Sequence, residues 1–144
     1  MKITVVGIGY VGLSLAVLLS KKHEVIALDI DPIKVDLINS KKSPLNDADI
    51  SYYLKKHNLR LTATTDVKIA YNYADYIIIA TPTDYDPLTN YFDTSSIESV
   101  LDEIDIYLPD CPIVIKSTVP VNYTNEIKKS CRNNKYPATL FCII

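Results

Sequence analysis

Three glycines are the whole supply of this 144-residue chain, and all fall in one six-residue stretch, GIGYVG: Gly7, Gly9 and Gly12. The spacing GxGxxG suits a diphosphate. Gly7 permits a tight turn, Gly9 leaves no side chain where a pyrophosphate must approach, and Gly12 lets a helix pack close to the preceding strand. Backbone N–H groups and the helix dipole then hold the phosphates. Seventeen residues after Gly12 comes Asp29, at the end of a second apolar run. A carboxylate there accepts hydrogen bonds from ribose hydroxyls. It repels the extra phosphate of NADP, Asp31 adds to that repulsion, and no arginine lies nearby. NAD is therefore expected over NADP. FAD shares the fingerprint through its ADP half and stays open at this point.

A second group of candidates sits after two other apolar runs. IIIATPT ends in Thr81, Pro82 and Thr83, and IVIKSTVP ends in Ser117, Thr118 and Pro120. Ligands of open α/β sheets bind beyond the carboxyl ends of the strands. Hydroxyls at that rim bind a nicotinamide ribose or position a water, cap the next helix, or only terminate the strands. Lys34, one turn beyond Asp29, reaches a ribose or phosphate or simply faces water. Lys116, inside an apolar run, has no role assigned from the bare residues. His23 and His57 fall in charged helix-end contexts and read as solvated or capping. The tyrosines read as packing.

These residues need a scaffold. KITVVGI is a short β-branched run, so a buried strand. Apolar residues at helical spacing follow from Val11 to a lysine pair. HEVIALDI is a second strand. Asp31 and Pro32 open a helix as N-cap and first residue. A short helix follows in DADISYYLKKH, capped by Asp47 or Asp49. LRLTATT is a strand, and Asp66 starts a short helix to about Tyr71. ADYIIIATPT is a strand, and DTSSIESVLDEIDIYL a helix whose Ser95-x-x-Glu98 pattern, or the weaker Ser96-x-x-Ser99, marks its start. CPIVIKST, VNYTNEIKKSCR and ATLFCII complete the order as strand, helix and strand. Alternating strands and helices, with strands apolar on both faces, predict an α/β fold. It is a Rossmann-type doubly wound parallel sheet with helices on both faces, in a single domain over 1–144.

Bulk properties agree. Hydrophobic residues are 48% and charged residues 22%, enough for a packed core and against disorder. A net charge of -2 gives no reason to expect nucleic acid or an anionic membrane as partner. Cys111, Cys131 and Cys142 make neither a disulfide framework nor a zinc pattern, and each reads as a buried thiol. Glycines interrupt the N-terminal apolar run, and no cleavage site precedes KKHE, so it is not read as a signal peptide. Apolar runs fall short of the roughly 18 residues a membrane span needs. A cytoplasmic protein is expected.

MKITVVGIGYVGLSLAVLLS, VIALDIDPIKVDLIN, ATPTDYDPLTNYFDTSSIESV and IVIKSTVPV together resemble the N-terminal NAD domain of the UDP-glucose/GDP-mannose dehydrogenase family. The resemblance runs from residue 1 to about residue 130. The form ATPTDYD…NYFD is more like the members that act on UDP-glucose than those that act on GDP-mannose or UDP-N-acetylmannosamine. The family oxidises the C6 alcohol of its nucleotide sugar to a carboxylate, UDP-glucose to UDP-glucuronate, reducing two NAD molecules. The resemblance implies that the turn Gly7, Ile8, Gly9, Tyr10, Val11 and Gly12 cradles NAD, and that Asp29 and Lys34 hold the adenosine ribose. It further implies that Thr81, Pro82, Thr83 and Ser117 contact the cofactor. Thr118 would lie near the nicotinamide and orient a catalytic water.

The tail departs from the family. Where the family continues into SPEFLREG, this chain reads YPATLFCII. The family's central helix, UDP-sugar domain and nucleophilic cysteine have no counterpart here, and the three cysteines lie outside that cysteine's motif. The expectation is a truncated NAD-binding portion, inactive alone. It would act on UDP-glucose only with the missing domain, and the family's homodimer contacts would be absent. A stand-alone NAD-binding subunit and a non-catalytic nucleotide-binding module are the alternatives. ATLFCII is expected to serve as a sixth strand, with exposed apolar surface and self-association as the consequence.

Overall fold

The computed structural model describes residues 1–88, 91–107, 111–132 and 140–142. Its elements in chain order are β1 (Lys2–Val6), α1 (Tyr10–Ser20), β2 (Glu24–Leu28), α2 (Pro32–Asn39), α3 (Ala48–Lys56), β3 (Leu61–Thr64) and α4 (Val67–Tyr71). They continue as β4 (Tyr76–Ile79), β5 (Asp84–Asp86), β6 (Tyr91–Asp93), α5 (Ser95–Tyr107), β7 (Ile113–Ile115), α6 (Tyr123–Arg132) and β8 (Leu140–Cys142). Six strands form one sheet in the order β3-β2-β1-β4-β7-β8, and every pairing in it is parallel. The chain order reverses between β1 and β4, where such sheets open a crevice. The expected doubly wound sheet is present, and Leu140–Cys142 within ATLFCII supplies the strand beside β7.

Alternation along the strands decides which helices cover which face. Val6, Ile26 and Leu28 join Ile77, Ile79, Ile113 and Ile115 in one cluster. Tyr71 of α4, Leu101 and Ile104 of α5 and Ile127 of α6 pack on it. Ile3, Val5, Val25 and Ala27 face the other way, under Leu13, Ala16 and Val17 of α1, Val35 and Ile38 of α2, and Leu54 of α3. Both faces are buried, which is why the strands read as continuous apolar runs.

Aspartates start three of the helices. Asp31 accepts from the Ile33 N–H, Asp47 from the Ile50 N–H, and Asp66 from the Lys68 and Ile69 N–H groups. Of the two caps expected for α3, Asp47 is the one used.

Two features differ from the sequence reading. The segment after ATPT folds into an antiparallel hairpin, β5 with β6, in which Tyr85 pairs with Phe92 and their rings lie 4.7 Å apart. Helix α5 is capped one residue earlier than its Ser95-x-x-Glu98 pattern suggested. Thr94 precedes the helix, its carbonyl accepts from the Ile97 and Glu98 N–H groups, and its hydroxyl donates to Glu98 Oε1 at 2.9 Å. Ser95 instead gives its N–H to Asp93 Oδ1 at 3.0 Å. The side chain that accepts an N–H at this helix start is therefore that of Asp93, while the Thr94 hydroxyl is spent on Glu98.

Cys111 is buried, as expected. The side chains of Cys131 and Cys142 lie outside the described residues.

Candidate functional site

Register brings the candidates together. Val6 pairs with Leu28 and with Ile79, and Ile79 pairs with Ile115. The next residues along these strands are Gly7, Asp29, Ala80 and Lys116, so all four leave the sheet at one rim. A cleft of about 440 Å³ opens there. It is lined by Gly7, Ile8, Gly9, Tyr10 and Val11 from the glycine turn, Asp29 and Lys34 from the β2–α2 junction, Thr81, Pro82 and Thr83 beyond β4, and Ser117 and Thr118 beyond β7. Of the thirteen residues that the family resemblance assigns to the cofactor, all line this cleft except Gly12, which packs against the Gly7 carbonyl; Pro120 does not line it. Ala80 and Lys116 line it as well.

The glycines have separable jobs. Gly7 has φ +97, and a Cβ there would stand 2.6 Å from the Ala80 carbonyl oxygen, so turn and packing both demand glycine. A Cβ on Gly12 would meet the Gly7 carbonyl oxygen at 1.9 Å, which closes that position to any side chain. Gly9 is different, because a Cβ there would meet nothing within 4 Å. Its bareness serves open space in the cleft and not the packing of the chain. Gly9 is also the N-cap of α1 in extended conformation, with no side-chain cap. The first-turn N–H groups of α1 are thus left for an outside acceptor. This cradle fits a diphosphate.

Asp29 does more than its motif suggests. Its Oδ2 accepts the Ile8 N–H at 2.6 Å, and its Oδ1 accepts the Asp31 N–H at 3.0 Å. The carboxylate therefore braces the glycine turn and the start of α2 before any ligand arrives. Each carboxylate oxygen has a further acceptor site for a ribose hydroxyl. Lys34 Nζ lies 3.7 Å from Asp29 Oδ2, so Lys34 is an ion-pair partner at the site, not a detached surface lysine.

The rim hydroxyls tie three elements together. Ser117 Oγ donates to the Thr81 carbonyl at 2.7 Å, and Thr83 Oγ1 to the Thr118 carbonyl at 2.7 Å, which joins the ends of β4 and β7. Ser96 in the first turn of α5 donates to the Pro82 carbonyl at 2.7 Å and lies 3.1 Å from Thr81 Oγ1. None of the uses expected of these hydroxyls covers this cross-strand stitching. Ser96 lies in a second lobe of about 400 Å³, with Leu28, Ile30 and Asp31, and was not a candidate in the sequence. Its one signal there was a place in the first turn of a helix that follows a strand end.

Comparison with known proteins matches the sequence motifs. The NAD binding domain of the UDP-glucose/GDP-mannose dehydrogenase family matches residues 1–140. This chain belongs to that family. It is 50% identical over 131 residues to the UDP-glucose 6-dehydrogenase of Campylobacter jejuni, covering 90% of this chain and 33% of that protein. It is 47% identical over 135 residues to the UDP-glucose 6-dehydrogenase of Streptococcus pneumoniae, covering 94% and 34%. A ternary complex of GDP-mannose dehydrogenase from Pseudomonas aeruginosa superposes with a TM-score of 0.84 at 31% identity, over 99% of this chain and 35% of that one. The chain thus spans about a third of the length of the relatives it matches. As the family's NAD-binding domain it takes NAD as its cofactor, which settles the choice left open against FAD. Among the described residues no helix is long and apolar enough to cross a membrane.

Proposed function

We propose that this chain is the cofactor half of a UDP-glucose 6-dehydrogenase, and that the cleft at the β1–β4 crevice holds NAD. In this reading the turn Gly7–Gly12 and the N-terminus of α1 hold the diphosphate. Asp29 and Lys34 hold the adenosine ribose, and Thr81, Pro82, Thr83 and Ser117 line the path toward the nicotinamide. Thr118 stands where a water attacking the oxidised C6 carbon is oriented. Bound NAD supplies the hydride acceptor, and the chain's own residues bind and orient it. The observation that carries the reading is the open space at Gly9, set against the closed packing at Gly7 and Gly12.

UDP-glucose is favoured as the sugar nucleotide because the relatives at 50% and 47% identity bear that name, whereas those named GDP-mannose 6-dehydrogenase are 34% to 37% identical. Oxidation of UDP-glucose to UDP-glucuronate, pairing with a second copy and a cytoplasmic setting belong to this reading of the whole protein.

Titration of the chain with NAD and NADP by calorimetry tests the cofactor half. Saturable binding of NAD, at least tenfold tighter than NADP, is expected. Equal binding of the two would overturn the assignment of Asp29. NADH formation by the whole protein with UDP-glucose, GDP-mannose and UDP-N-acetylmannosamine tests the substrate. A preference for either of the last two would overturn that part.

A further inference from the structure

Lys116 is the charged residue of the cleft that the proposed function leaves without a task. It follows β7 directly, lines the same cleft as the glycine turn, and is partly buried. Partial burial packs the alkyl stem of a lysine at little cost as long as its ammonium group stays in water or meets an anion. Among the described residues no carboxylate stands within ion-pair distance of Lys116, whereas Lys34 is already engaged by Asp29. The Lys116 N–H donates to the Ile79 carbonyl at 2.7 Å, which roots the residue at the junction of β4 and β7. Strand β7 is two strands from β1, about 10 Å across the sheet rim. A ligand reaching from the glycine turn to Thr118 passes between the two.

The charges in the cleft ask for such a cation. The N-terminus of α1 offers about half an elementary charge. Asp29 and Lys34 cancel one another. A dinucleotide brings two ionised phosphates. We propose that Lys116 is a cofactor-binding residue that gives its positive charge to the cofactor's diphosphate, opposite the N-terminus of α1. This rests on the reading of the cleft as an NAD site. It predicts that affinity from Lys116 depends on the presence of phosphates and on ionic strength.

The experiment titrates NAD, ADP and adenosine against the unaltered chain, Lys116→Met and Lys116→Arg. Lys116→Met is expected to weaken NAD and ADP about tenfold and to leave adenosine unchanged. Lys116→Arg is expected to restore most of the loss, and added salt to shrink the gap between the unaltered chain and Lys116→Met. The thermal midpoints of the three proteins should agree, so that a change in binding is not a change in folding. NAD bound equally by the unaltered chain and Lys116→Met would overturn the assignment of Lys116 alone. So would a loss for adenosine as large as for ADP. An unaltered chain that is folded and binds neither NAD nor ADP would overturn the cleft reading together with it.

Discussion

Gly9 and Gly12 stand three residues apart in one turn, yet they answer to different forces. Gly12→Ala puts a methyl carbon 1.9 Å from a backbone oxygen. It should cost at least about 3 kcal/mol of stability, read by urea denaturation. Gly9→Ala fills open space. It should change stability by less than about 1 kcal/mol and weaken NAD binding at least tenfold. The spacing of the glycines made both positions visible in the sequence, but their division of labour was not, since it depends on what each Cβ would meet. Asp29 shows the same limit. Its place after the second strand marked it as a ribose acceptor, while its bond to the Ile8 N–H joins residues 21 apart and needed coordinates. Asp29→Ala should therefore cost about 1–3 kcal/mol by stranding that N–H, in addition to weakening NAD. The hydroxyl stitches were hidden for the same reason, because Ser117 and Thr81 are 36 residues apart.

Helices α2, α3 and α4 were legible because an aspartate before a helix both caps it and appears in the sequence as a local signal. Helix α5 was legible in existence but not in its start, where the Thr94 and Ser96 hydroxyls go to Glu98 and to the Pro82 carbonyl and Asp93 takes the Ser95 N–H. Thr94→Ala removes the hydroxyl bonded to Glu98 and should cost about 1 kcal/mol, read as a lower thermal midpoint, while Ser95→Ala, which leaves the bond of its N–H to Asp93 in place, should cost less than half of that. The hairpin of β5 and β6 was not legible. Its strands are three residues each, too short for alternation to register, and their pairing rests on the cross-strand contact of Tyr85 with Phe92. The strands of the main sheet were the easiest to read, since burial on both faces writes unbroken apolar runs.

At the scale of the whole molecule, burial ties stability to pH. Burial pushes the Cys111 thiol up from its ordinary 9.0 to about 11, with the Asp75 carboxylate as a second cause. Burial also raises Tyr71, and Glu103 beside it, bonded at 3.2 Å, adds to the effect. A raised value means that the folded state keeps the neutral form. The contribution from Cys111 is complete below pH 9 and is lost as pH rises through 11. Urea midpoints should fall between pH 9 and 11, and Cys111→Ala should flatten that fall. The parallel topology was legible from the alternation of strands and helices. The sheet order was not spelled out by the residues, since the crossover between β1 and β4 is a long-range event. That crossover makes the crevice on which the account depends. Calorimetric titration of NAD into the chain and into Gly9→Ala, both shown folded by circular dichroism, tests it most directly. One saturable NAD site is expected in the chain and at least tenfold weaker binding in Gly9→Ala; a folded chain that takes up no NAD at millimolar concentration, or Gly9→Ala that binds it as tightly as the chain does, would contradict the assignment of the cleft.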